Sequence, residues 1–107
     1  MEIYSLIGIP LDSDVAIDTA RQALTREGLY DWTDVRVFRS TAPPRSTILV
    51  PPFFQCTAVS AGEISRTLGS PAILLRSDFA FFWAYVLFAD GQAVDQFATL
   101  PGCLGQI

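Results

Sequence analysis

One stretch of this chain constrains its fold more than any other: an aromatic run, then Asp90-Gly91, then a second β-rich run. Residues 79–88 read FAFFWAYVLF and residues 93–97 read AVDQF. Aromatic and β-branched side chains favour extended backbone. Asp-Gly between two such runs is typical of a two-residue type I′ turn, because both central residues need positive φ. The pattern therefore predicts an antiparallel hairpin, and the apolar run is too short to cross a bilayer as a helix.

A two-residue turn also predicts how the two strands pair. In that register the opposing residues are Phe88 and Ala93, Leu87 and Val94, Val86 and Asp95, Tyr85 and Gln96, and Ala84 and Phe97. Because side chains alternate across a strand, Phe82, Val86 and Phe88 share one face. The opposite face carries Trp83 and Tyr85. An antiparallel strand with one wet side alternates apolar and polar residues, whereas both faces here are apolar and both need a cover.

The two faces differ in the kind of cover they suit. Trp and Tyr have a polar tip and tolerate a partly wet setting, so we expect the Phe82 face to meet the protein's own helices. The other face is predicted to bind a partner, through Phe81, Trp83, Tyr85, Leu87, Val94 and Gln96. The alternative is that a loop or terminal segment of the same chain covers it. Asp95 falls on the core face in this register and is a candidate buried carboxylate, unless it lies at the sheet margin or pairs with Arg76.

The rest of the chain predicts two helices and four more strands, in the order β-α-β-β-α-β-β-β. A helix from Asp14 to Glu27 ends at Gly28, and a second from Ser60 to Leu68 begins with the capping-box spacing of Ser60 and Glu63. The strand Thr47–Val50 lies between two Pro-Pro pairs, which favours an edge position. The order predicts a single α+β domain over residues 1–107. It is a mostly antiparallel sheet with two helices on one face, a ferredoxin-like core extended by a hairpin.

Charge and composition exclude several classes of function. Eleven acidic and seven basic residues give a net charge of −4, and the dispersed arginines argue against nucleic-acid binding. The chain has no Lys, His or Asn, so imidazole bases, His metal ligands and Schiff-base lysines are absent. Arginine without lysine indicates a GC-rich bacterial source. With no leader-like or membrane-spanning pattern, we expect a cytoplasmic protein without a cofactor.

Three weaker candidates have simpler explanations. Cys56 and Cys103 lack metal-site spacing; they could pair with each other, but free thiols are expected in a cytoplasmic protein. Arg36, Arg39 and Arg45 could form an anion site. Asp12, Asp14 and Asp18 could hold a metal, but helix capping explains that triplet and the EF-hand spacing is missing.

The segment from Glu63 to Gly102 also resembles a group of small bacterial proteins. The shared pattern is a leucine-containing helix, an apolar strand ending in Asp, an aromatic strand ending in Asp-Gly, and a V-D-x-F strand. The matching residues are Leu68, Asp78, Trp83, Tyr85, Asp90, Gly91, Val94, Asp95, Phe97, Pro101 and Gly102, and the pattern departs around Cys103. The resemblance implies a fixed hairpin unit and no particular activity.

Two functions follow from these observations. The first is a non-enzymatic interaction protein, comparable to an immunity protein or an accessory subunit, that binds a protein partner or itself through the aromatic face. The alternative is a small-ligand binder or a carboxylate-based enzyme with a site near Asp95. The hairpin is central to both.

Overall fold

The computed structural model describes residues 4–28, 31–52, 58–78 and 82–99. The strands are β1 (Tyr4–Ile9), β2 (Arg36–Ser40), β3 (Ser46–Val50), β4 (Ala72–Asp78), β5 (Phe82–Ala89) and β6 (Gln92–Ala98), and the helices are α1 (Asp14–Arg26) and α2 (Ala58–Leu68). A single 3-10 turn, Trp32–Asp34, precedes β2. In the described part of the chain, no helix is long and apolar enough to cross a membrane.

All six strands form one antiparallel sheet in the order β2-β3-β1-β4-β5-β6. β3 lies between β1 and β2, and β1 lies between β3 and β4, so each helix connects two strands that are split by a third. This arrangement confirms the predicted α+β class and the ferredoxin-like core. The β5–β6 hairpin then extends the sheet beyond β4. The edge position predicted for the third strand is wrong: Pro43-Pro44 and Pro51-Pro52 lie outside β3 and remove none of its hydrogen bonds.

One face of the sheet, the inner face, packs on both helices. Its buried apolar residues come from the four central strands, β3, β1, β4 and β5. They are Ile7, Ile9, Leu49, Ala72, Leu74, Val86 and Phe88. Small residues of α1, namely Ala16, Ala20 and Ala23, let that helix approach closely. The expectation that Val86 and Phe88 face the core is confirmed, while the Phe82 side chain lies outside the description.

α1 begins and ends where its sequence indicates. The Ser13 hydroxyl accepts a hydrogen bond from the Ala16 N–H at 3.0 Å, which satisfies a donor of the first helical turn. At the other end the Glu27 N–H donates to the Ala23 carbonyl and Gly28 follows at φ 111°. Positive φ favours glycine at this position.

α2 differs from its prediction at its start. The helix begins at Ala58, so Ser60 lies inside it and is fully buried. The carboxylate of Glu27 accepts a hydrogen bond from the Ser60 N–H at 2.7 Å and another from its hydroxyl. Glu63 instead pairs with Arg26, Oε2 to Nη2, at 2.8 Å. The predicted capping box is therefore wrong. Glu27, at the end of α1, accepts from the Ser60 N–H that the Glu63 side chain was expected to satisfy.

A hydrogen bond and close packing hold the Asp90-Gly91 turn of the hairpin against α2. The Ser65 hydroxyl donates to the Gly62 carbonyl at 2.9 Å and accepts from the Gly91 N–H at 2.9 Å. A Cβ at Gly62 would lie 3.4 Å from the Gly91 carbonyl oxygen. The helix and the turn thus meet at a glycine on each side. This contact holds the β5–β6 hairpin in place relative to the core.

Candidate protein-binding face

The hairpin contains a β-bulge that changes its register. The turn pairs Ala89 with Gln92 and Phe88 with Ala93 as predicted, but Leu87 then pairs with Asp95. Val94 is the additional residue, and it is 60% exposed. Since a shift of one residue moves every later side chain to the other face, the predicted pairings beyond Ala93 are wrong.

Asp95 is the residue whose environment changes most. It was expected on the core face opposite Val86, whereas the bulge places it on the outer face, exposed and opposite Leu87. Its carboxylate accepts a hydrogen bond from the Tyr85 hydroxyl, 2.9 Å from Oδ2. The candidate buried carboxylate is therefore wrong, and Asp95 lies on an edge strand of the described sheet, as the alternative expected. The solvent and the phenol satisfy this charge, and Arg76 lies on the inner face, opposite Ser5 and Ala84.

The Tyr85–Asp95 bond predicts a tyrosine titration. Donation to the carboxylate is the main cause that raises the pKa of Tyr85 above its ordinary value, because the bond holds the phenol proton. The stability that this bond contributes is fully present below a pH of about 10, and it is lost as the pH rises through the raised pKa of Tyr85. In Asp95→Ala, we expect one of the 3 tyrosines to ionise at lower pH, as followed by ultraviolet difference absorbance. Asp18→Ala on α1 should leave the titration unchanged, and an unchanged curve for Asp95→Ala would contradict the bond.

An aromatic cluster covers the hairpin's outer face. The Phe97 ring centroid lies 5.0 Å from that of Trp83 and 6.3 Å from that of Tyr85, within the range of favourable ring contacts. Trp83 is 47% exposed and Phe97 45%. Phe97 was expected on the core face, and the bulge moves it outward. Its place in the cluster was missed because the sequence alone gives no sign of the bulge.

The predicted binding residues divide into three groups. Trp83, Tyr85 and Leu87 share the outer face as expected. Val94 is the bulge residue, and Gln96 pairs with Val86, so it belongs to the inner-face side of the edge strand. Phe81 lies outside the described residues. The structure therefore brings together half of the predicted set and adds Phe97 and Asp95 to it.

The outer face continues across the whole sheet as rows of apolar residues. Cross-strand pairing places Phe38, Ile48, Gly8, Ile73, Leu87 and Asp95 in one row, and Arg36, Val50, Leu6, Leu75, Tyr85 and Phe97 in the next. The members of β1, β4 and β5 are half-buried, and Phe38 at the edge is 54% exposed. Both described helices pack on the opposite face. Within the described ranges, no helix covers this surface.

A groove of about 400 Å³ opens on this face around Gly8. Its walls are formed mainly by apolar side chains, among them Ile48, Ile73, Leu87, Pro10 and Pro71. A Cβ at Gly8 would lie 3.0 Å from Cγ2 of Ile73, so the Ile73 side chain already lies where a side chain at position 8 would be. Such a groove suits an apolar side chain, and none of its described lining residues is titratable.

The weaker candidates are dispersed in the structure. Arg36 and Arg39 lie on opposite faces of β2, and Arg39 pairs with Asp12 and Asp14, so these two members of the candidate anion site do not come together. Asp18 pairs with Arg21. Over the described ranges no group of His, Cys, Asp and Glu could hold a metal. Cys56 and Cys103 lie outside those ranges.

Comparison with known proteins adds no relative. No family model matches the chain, and neither a curated protein nor a solved structure does. Any functional inference therefore depends on the outer face itself.

Proposed function

We propose that this protein is a non-enzymatic interaction module whose outer sheet face binds the apolar surface of another protein subunit. The supporting observation is a continuous apolar face on the side of the sheet opposite both helices. Contiguous exposed apolar patches of several hundred Å² on a protein surface usually mark an interaction site. This patch spans all six strands.

The distribution of residues on the face resembles that of a protein interface. Aliphatic residues of β1 and β4 form its centre, namely Leu6, Ile73 and Leu75, while Trp83 and Phe97 stand half-exposed at one side. Charges occur only at the rim of the described face, at Arg36 and Asp95. An apolar centre, aromatic anchors and a polar rim are typical of binding surfaces.

The carboxylate-based alternative has less support. Asp95 is exposed and its described partner is a phenol, whereas a catalytic carboxylate usually lies in a cleft. The described lining of the groove includes Gly8 and Leu87, the cross-strand neighbour of Asp95, but not Asp95 itself. A small apolar ligand could occupy the groove, and such binding would not need Asp95.

The proposal can be tested by substituting the face and measuring native mass. We expect tagged wild-type protein from its native host to carry a protein subunit in a fixed ratio, by native mass spectrometry. Leu75→Ser and Trp83→Ala should each lose that subunit, because they remove buried contact area. The matched control is Val59→Ser on α2, at an apolar position that is 63% exposed but lies away from the face.

Two results would contradict the proposal. One is a wild-type protein that stays a lone monomer at every concentration and in host extract. The other is a complex that both face variants retain as well as Val59→Ser does. Thermal unfolding of each variant checks that a lost complex reflects the surface and not an unfolded chain.

A further inference from the structure

We infer that the subunit bound by the outer face is a second copy of this chain, related by a two-fold axis parallel to the strands above the β1–β4 boundary. This inference depends on the proposed function and names its partner. Face-to-face sheets pack with their strands within about 30° of each other. Because β1 and β4 are the middle strands of six, the axis lays β2 over β6, β3 over β5 and β1 over β4 of the second copy.

The available area suits a weak dimer that forms with increasing concentration. Strands about 4.8 Å apart and side-chain rows about 7 Å apart give the face roughly 500 Å² in projection. This is below the value of about 800 Å² per partner that is usual for stable complexes. Two such faces placed together cover each other's aliphatic centre.

The same central residues meet twice under this symmetry. Gly8 and Ile73 are direct cross-strand neighbours on β1 and β4. The two-fold axis exchanges β1 for β4 while keeping the row, so Ile73 of each copy lies over Gly8 of the other. Because Gly8 adds no side chain of its own, the two isoleucines can pack against each other at the centre of the interface.

The rim charges are complementary as well. Arg36 lies on the outer face of β2, one sheet edge, and Asp95 on the outer face of β6, the other edge. The axis brings these edges together at both sides of the interface. Arg36 then lies over Phe97 of the second copy, two residues along the strand from its Asp95, about 7 Å. An arginine can stack on an aromatic ring and still reach a neighbouring carboxylate.

The alternative two-fold axis, perpendicular to the strands, brings like charges together. It lays each strand over its own copy, so the two Asp95 carboxylates approach each other at one rim and the two Arg36 side chains at the other. Like charges across an interface oppose association. It also places Leu6 over Gly8 in place of the reciprocal isoleucine. The charge pattern therefore selects the axis parallel to the strands.

A charge exchange tests both the partner and the axis. Sedimentation velocity across a dilution series would compare wild type, Arg36→Glu, Asp95→Arg and the double variant. We expect a wild-type dimer, a dimer affinity at least about tenfold weaker in each single variant because two repulsive contacts form, and recovery in the double variant. Mixing the two single variants should restore a heterodimer of wild-type affinity. Tyr85→Phe is the control for the hydrogen bond that Asp95→Arg removes, and it should stay dimeric.

The outcomes separate this inference from the proposed function. A wild-type monomer that still carries a different protein subunit, lost in Leu75→Ser, overturns the second copy and leaves the interaction module standing. A dimer whose single variants bind as tightly as wild type overturns the parallel axis. A monomer without any subunit overturns both.

Discussion

Replacing Phe88 by alanine is expected to lower the free energy of unfolding by about 3–5 kcal/mol, as is usual for a buried phenylalanine. Phe88 is 5% exposed and belongs to the core cluster. On the sheet it lies between Ala72 and Ala93. A Cβ at Gly62 would be 3.5 Å from its ring. Small neighbours cannot fill the space that the ring leaves, so most of the cavity would persist.

The same hairpin supplies the matched control for this substitution. Phe97→Ala removes the same ring from the outer face, where the residue is 45% exposed. In dilute solution we expect a cost of about 1 kcal/mol, well below that of Phe88→Ala, because nearly half of the side chain already meets water. Urea unfolding followed by circular dichroism would measure both. Equal losses for Phe88→Ala and Phe97→Ala would contradict the assignment of inner and outer faces.

Replacing Ser65 by alanine is expected to cost about 1–3 kcal/mol, a large effect for the loss of a single hydroxyl. Ser65 is fully buried, and its oxygen accepts from the Gly91 N–H while donating to the Gly62 carbonyl. Alanine leaves the Gly91 N–H without its partner, and an unsatisfied buried donor costs more than an average hydrogen bond contributes. Urea unfolding measures the loss.

Hydrogen exchange locates the effect of Ser65→Ala. We expect the Gly91 amide to lose protection from exchange in this variant, while the amides that pair β1 with β3 remain protected. Ser40→Ala, at an exposed hydroxyl on β2, should change the free energy of unfolding by less than about 0.5 kcal/mol. A loss in Ser65→Ala as small as in Ser40→Ala would mean that water reaches the Gly91 N–H and that the turn does not depend on α2.

The class and order of the fold could be predicted because its signals are local. Ser13 and Gly28 bracket α1, Asp90-Gly91 gives the hairpin turn, and the order of elements restricts the topology. The start of α2 could not be predicted from its own residues, since its Ser60 N–H is satisfied by Glu27, 33 residues earlier in the chain. A capping box and a buried serine bonded to another helix have the same local sequence.

The binding face could be predicted only in part for a different reason. Trp83, Tyr85 and Leu87 precede the bulge and keep their expected side. Asp95 and Phe97 follow the bulge, so both lie on the outer face and not on the predicted inner face. The inserted residue lets a carboxylate reach solvent and a phenol, where the regular register would set it against the core. The turn residues specify the first pairs and carry no information about Val94.

The bulge at Val94 also affects how copies of this chain can meet at their borders. β6 is an outermost strand of the described sheet, and the free backbone groups of an edge strand can template the addition of another strand. The extra residue in β6 interrupts the regular spacing of those groups and bends the edge strand. Growth by lateral strand addition, the route to fibrils, is disfavoured at β6. The aromatic surface can then remain open to a specific contact without the chain polymerising along that border.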